Sequence, residues 1–187
     1  MGRDVSDEGT LREEIERLRA ALEEAEREAT VDAMTGCLNR RGWTRSLEHE
    51  ERRCRRHELD ALVVVVDLDG LKAINDSRGH AAGDRSLMRC ADAIRTAVRG
   101  EDLVARLGGD EFGVLTVQTA PQAPEAVVAQ IERAFTAARV SASVGWALRS
   151  AAGTLARAER EADRRMLEAK RRRGRPITGE RRRRALG

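Results

Sequence analysis

Ala61-Leu62-Val63-Val64-Val65-Val66 is an unbroken apolar run, mostly β-branched, and it stops abruptly at Asp67. Six residues are too few for a typical helix, and a run without polar alternation has no face for water. It therefore reads as a strand buried on both faces. Asp67 and Asp69 follow directly, so two carboxylates emerge where the chain leaves the core. Groups at such strand ends commonly face a ligand cleft.

Toward the C-terminus, Asp84 to Val98 carries apolar residues at helical spacing until Arg99-Gly100 interrupts it. Leu103 to Leu107 and Glu111 to Val117 are strand-like and flank Gly108-Gly109-Asp110. A glycine pair between two such segments predicts a hairpin. Pro121 and Pro124 mark a loop before a helix at about Glu125 to Ala138. Val140 to Leu148 resembles a strand, and a last helix is expected from about Thr154 to Arg172.

Toward the N-terminus, a charged helix is expected from about Gly42 to His57, preceded by a connector from Asp32 to Trp43 that contains Gly36. Leu11, Ile15, Leu18, Leu22, Ala25 and Ala29 form one helical stripe in a segment otherwise filled by Glu and Arg. It reads as a short coiled coil, although such a stripe also suits packing on its own domain. The order of elements predicts an α+β fold, a mainly antiparallel sheet with the apolar strand near its centre and helices over one side. Three parts follow: an N-terminal helix over 1–30, a globular domain over 31–175 and a basic tail over 176–187, expected to be disordered.

The bulk numbers bound the function. At 187 residues, 41% hydrophobic and 36% charged, the chain suits one soluble domain with appendages. No stretch approaches the roughly 20 apolar residues of a membrane span, and the N-terminus lacks the apolar segment of a secretion signal, so a cytoplasmic protein without a membrane partner is expected. Cys37, Cys54 and Cys90 are odd in number and widely spaced, which fits neither a disulfide framework nor a zinc site. Nine of the 35 basic residues but only one of the 32 acidic ones, Glu180, lie from Lys170 onward, so the part before that carries a net charge of −5 against +3 for the whole. The tail alone makes the chain basic, and a solvated run is a commoner reading of it than a nucleic-acid contact.

The chemistry centres on carboxylates. A hairpin beside the apolar strand would bring Asp110 and Glu111 to the end where Asp67 emerges. Acids crowded together repel one another unless a cation neutralises them, and oxygen-only donors favour magnesium, manganese or calcium over zinc. With no side chain at Gly108 or Gly109, the backbone can turn tightly and admit phosphate oxygens to its N–H groups. Taken alone, these four residues also suit an ordinary surface hairpin.

Leu107-Gly108-Gly109-Asp110-Glu111-Phe112 resembles the signature of GGDEF domains, the diguanylate cyclases. Asp32-Ala-Met-Thr-Gly-Cys-Leu-Asn-Arg-Arg41 resembles the opening motif of that family, and Asp67 to Asp76 with Gly79-His80 and Gly83-Asp84 its nucleotide segment. Val140 to Gly145 and Ala162-Asp163 through Ala169-Lys170 resemble its later landmarks. The resemblance implies a fold like that of adenylyl cyclases and polymerase palms, and condensation of two GTP into cyclic di-GMP with release of pyrophosphate. It implies two magnesium or manganese ions per site, with Asp67, the Leu68 carbonyl, Asp110 and Glu111 as ligands. Asn75 and Asp84 would recognise guanine, Lys170 and the Gly108-Gly109 turn would meet phosphates, and His80 would lie near the substrate or serve structure alone. Asp110 or Glu111 would accept the proton. Since each domain holds one GTP, a homodimer is implied, joined through the N-terminal helix. Arg99-Gly-Glu-Asp102 resembles the inhibitory product site of the family.

Some positions depart from that pattern. Gly70 and Leu71 stand where aromatics are frequent, Leu167 replaces a tyrosine and Arg165 a small residue, and the spacing after Lys170 leaves a second phosphate-binding arginine unassigned. Two rival readings remain: a non-catalytic receptor that binds cyclic di-GMP through Arg99 and Asp102, and a coil-driven interaction protein whose tail binds nucleic acid.

Overall fold

The structure, a computed structural model, describes residues 5–118 and 123–173. The tail over 176–187 lies outside the described residues. In chain order the elements are α1 (Val5–Thr30), α2 (Arg40–His57), β1 (Asp60–Leu68), α3 (Leu71–Arg78), α4 (His80–Ala97), β2 (Leu103–Gly108), β3 (Glu111–Gln118), α5 (Pro124–Ala137), β4 (Ala142–Leu148), α6 (Arg149–Ala152) and α7 (Leu155–Arg172). The four strands form one sheet in the order β2-β3-β1-β4, and every pairing is antiparallel. The apolar strand is thus internal, as its sequence requires.

Alternation along β1 explains the layers. Leu62, Val64, Val66 and Leu68 face α4 and α5, packing with Leu87, Cys90, Ile94, Ile131 and Phe135. Ala61, Val63 and Val65 face the opposite way, toward Trp43 and Leu47 of α2 and Leu155, Ala158, Ala162 and Met166 of α7. Side chains on a strand point to alternate faces, so the unbroken apolar run over 61–66 needs two covers. Helices on both faces correct the expectation of one-sided cover. Each fully buried valine contributes roughly 1.5–3 kcal/mol to this sandwich.

Local chemistry fixes the helix ends. The Asn39 side chain accepts from the Gly42 amide and that of Thr154 from the Arg157 amide, so α2 and α7 both begin on a side-chain cap. Gly145 of β4 lies tight against α7: a Cβ there would fall 2.2 Å from both the Ala162 carbonyl oxygen and the Met166 amide nitrogen. Arg165, on the same helix, lies over the Trp146 ring at 5.6 Å from its centroid and donates to the Trp146 carbonyl. That stacking gives the unexpected arginine a packing role.

On α1, Ile15, Leu18 and Leu22 are 40%, 61% and 61% exposed. The stripe is therefore not buried on its own domain at those positions. Among the described residues, no helix is long and apolar enough to cross a membrane.

Candidate active site

The register of the sheet sets the site. Asp67 on β1 lies opposite Glu111 on β3, and the next residue, Leu68, donates its amide to the Asp110 carbonyl at 2.9 Å. The hairpin between β2 and β3 turns at Gly109-Asp110, so both of its acids arrive at the strand end where Asp67 emerges. Gly108 and Gly109 have φ of 146° and 51°, conformations that L side chains rarely adopt, and a Cβ at either would meet only open space. Glycine is needed here for backbone shape, and the turn stays open to an approaching ligand.

Asp67 continues the parity of Val63 and Val65, so its side chain falls on the α7 face. The buried stripe of α7 runs Leu155, Ala158, Ala162, Met166 and ends in Lys170. Lys170 Nζ donates to Asp67 Oδ1 at 2.6 Å, with the carboxylate wholly buried and the lysine side chain 6% exposed. Removing one member of a buried pair costs about 3–5 kcal/mol, because the other is left uncompensated. Among the described residues, no three His, Cys, Asp or Glu side chains are gathered closely enough to hold a metal ion. In the structure Lys170 is thus a cationic partner of Asp67.

Asp69 has a different duty. Its carboxylate accepts from the hydroxyls of Ser141 and Ser143 at 2.9 and 3.1 Å, and its amide donates to the Ser141 carbonyl. These contacts tie the end of β1 to the start of β4. Arg173, which sequence reasoning did not single out, donates to the Ala142 carbonyl at 2.6 Å and lies 3.8 Å from Asp69. The cluster of arginines after Lys170 was the signal, but only the fold shows which of them turns back to the sheet.

The nucleotide segment forms a helical corner. Gly70, at φ 73°, starts α3, which carries Asn75; α4 begins at His80 and carries Gly83 and Asp84. His80 is exposed and Asp84 half-buried. The Asn75 Oδ1 is buried without a hydrogen-bond partner, the one such side-chain atom among the described residues. It nests against Gly83, where a Cβ would come within 1.9 Å of it. An orphaned buried acceptor is costly unless something else donates to it.

A second unpredicted residue braces the turn. Arg106 of β2 donates through Nε and Nη2 to the Gly109 carbonyl, at 3.2 and 2.9 Å, and through Nη1 to Asp32 Oδ2 at 3.2 Å. Asp32 also accepts from the amide and hydroxyl of Thr35. Burial pushes the Asp32 carboxyl upward, but the Thr35 bonds and the Arg106 charge outweigh it and hold the group below the usual carboxylate range. The connector after α1 is thereby linked to the glycine turn.

Arg99 and Asp102 lie apart from the sheet end. The Arg99 amide donates to Asp102 Oδ2 at 2.9 Å, and both residues line a groove of about 270 Å³ with Arg95, Cys37 and Val104. Burial raises the Asp102 carboxyl, opposed by the Arg99 amide.

Comparison with known proteins shows the family of the chain. The family described as "Diguanylate cyclase, GGDEF domain" matches residues 29–176, and the chain belongs to that family. The chain is 42% identical over 87 residues to the probable diguanylate cyclase DgcC of Escherichia coli, a match spanning 46% of this chain and 24% of that protein. With diguanylate cyclase DgcP of Pseudomonas aeruginosa it shares 34% identity over 128 residues, 68% of this chain and 19% of the relative. The chain thus spans about a quarter or less of these two curated relatives. Among solved structures, the GGDEF domain of TpbB (YfiN) from Pseudomonas aeruginosa superposes with a TM-score of 0.66 at 35% identity, covering 76% of this chain and 89% of the other. The coiled coil and GGDEF domain of DgcB from Caulobacter crescentus, in complex with c-di-GMP, gives 0.80 at 24% identity, covering 91% and 95%. The second likeness concerns the fold alone. Diguanylate cyclases of this family generally use divalent metal ions.

Proposed function

We propose that this chain is the catalytic domain of a cytoplasmic diguanylate cyclase, which joins two GTP molecules into cyclic di-GMP. The observation that carries the reading is the register of Asp67 against Glu111, with Asp110 at the adjoining turn. The donor chemistry suits a hard divalent cation: Asp67, the Leu68 carbonyl, Asp110 and Glu111 offer oxygen alone, the buried Asp67 already takes a cationic partner, and the acids would have to draw together around the ion. We assign two magnesium or manganese ions to these residues. Such ions lower the pKa of a bound hydroxyl and neutralise developing charge on phosphate oxygens.

The remaining steps fall to the chain itself. Asn75 Oδ1, a buried acceptor without a partner, would turn to accept from the guanine amine, and Asp84, next in sequence to Gly83, would accept from N1–H, a donor that adenine lacks. The open Gly108-Gly109 turn and Lys170 would meet the triphosphate, and exposed His80, at the start of α4, is assigned to the substrate as well. The 3′-oxygen of one GTP bonds to the α-phosphorus of the other while the bond to the β-phosphate breaks and pyrophosphate leaves. The hydroxyl proton passes to Asp110 or Glu111. The same exchange, repeated in the reverse sense, closes the ring.

Both nucleotides must be held face to face, so a homodimer is required, and the exposed Ile15, Leu18 and Leu22 of α1 offer a seam for it. The groove at Arg99 and Asp102 suits the product as an inhibitor, since arginine can grip phosphate in two bonds and an aspartate can accept from guanine. The same groove favours the rival receptor reading. Incubation with GTP and Mg²⁺ followed by separation of products decides: cyclic di-GMP supports the cyclase, whereas cyclic di-GMP binding without synthesis supports the receptor.

A further inference from the structure

Lysine is scarce in this chain. Of 35 basic residues, 33 are arginines and only Lys72 and Lys170 are lysines. Lys72 is exposed on α3, whereas Lys170 is 5% exposed, inside the candidate site. Its ammonium rests 2.6 Å from an oxygen of Asp67, a carboxylate with no solvent exposure. An ammonium is a compact point charge with rotatable donors, while a guanidinium is a broad planar fork. Of the two, the ammonium is the closer substitute for a bare cation in a confined space.

Two cations cannot share that oxygen comfortably. Magnesium coordinates at about 2.0–2.1 Å and demands near-octahedral surroundings, so an ammonium hydrogen-bonded to the same carboxylate competes with it by charge and by space.

We propose that Lys170 is a resident counter-ion, which occupies the Asp67 carboxylate and is displaced from it when a divalent cation enters, the freed ammonium then turning to the nucleotide phosphates. This rests on the reading of Asp67 as a metal ligand. It makes the two ligands cooperative. A cation alone must expel a lysine that has no new partner, while a cation arriving with a triphosphate supplies that partner, so each ligand strengthens the other.

The presence of only two lysines makes the test clean. The full chain is treated with an amine-reactive reagent and the modification at each lysine is read by mass spectrometry, with exposed Lys72 as internal reference. Lys170 is expected to be protected in metal-free protein and to gain labelling about tenfold relative to Lys72 at saturating Mn²⁺ without nucleotide. In parallel, Lys170→Met is expected to bind Mn²⁺ alone about tenfold more tightly than wild type in calorimetry. Unchanged protection at saturating Mn²⁺ overturns the proposal, and wild-type labelling decides by itself if Lys170→Met does not fold. Asp67→Asn separates the two levels. If it leaves Mn²⁺ affinity intact, the metal assignment fails and the proposal with it; if it abolishes Mn²⁺ binding while Lys170 stays protected in wild type, only the counter-ion role fails.

Discussion

The amide oxygen of Asn75 lies so close to Gly83 that a Cβ on the glycine would reach within 1.9 Å of it. Two helices are thereby brought together, and an acceptor with no partner is left buried at their junction. Gly83→Ala is expected to push Asn75 aside and raise the KM for GTP about tenfold, the worth of roughly one hydrogen bond, while circular dichroism stays native. An unchanged KM would remove Asn75 from guanine recognition.

Gly145 tests the packing that carries Lys170 to the sheet. Any side chain there meets the backbone of α7 at 2.2 Å, and backbone cannot swing away as a rotamer can. Gly145→Ala is expected to cost roughly 3 kcal/mol, the upper end of overpacking penalties, measured by urea unfolding. A loss below about 1 kcal/mol would mean that α7 sits further from β4 than the structure has it.

The Asp32 carboxyl is held below its ordinary value, so it stabilises the fold at neutral pH, and that contribution fades as pH falls through the folded-state value. Asp32→Asn is expected to lose about 1.5–3 kcal/mol at pH 7, from hydrogen bonds to a charged group, and less at a pH below the folded-state value of Asp32. Equal losses at both pH values in urea titrations would show that the charge on Asp32 is not what braces Arg106.

At the separate groove, Arg99→Ala removes the side chain to which a grip on phosphate is assigned, without touching the sheet end. Initial rates are expected to match wild type while added cyclic di-GMP no longer slows the reaction. Inhibition of wild-type strength in the variant would free this groove from its assigned role.

Much of this architecture was readable from local pattern, and the failures have physical causes. The valines of β1 announced a doubly buried strand, and the glycine pair announced its hairpin, because both signals are contained within a few residues. α3 went unread: it is eight residues long, buries none of them and begins at a glycine without a side-chain cap, so it leaves no periodic trace. One-sided cover was the wrong inference from a run that already demanded two. The pairing of Lys170 with Asp67 spans 103 positions, and the link from Arg106 to Asp32 spans 74; neither lysine nor arginine carries any local mark of a partner so distant. Asp69 resembled Asp67 in sequence, and only the serines of the neighbouring strand reveal its structural duty.

The most direct measurement is the rate of cyclic di-GMP formation from GTP and Mg²⁺ by the wild-type chain and by Asp110→Asn. The wild type is expected to make the cyclic dinucleotide, and the variant to fold normally yet lose about 100-fold or more of the rate, as removal of a positioned carboxylate from the reacting centre should. A wild type that makes no product at high protein concentration, or an Asp110→Asn variant that works at the wild-type rate, would contradict the account.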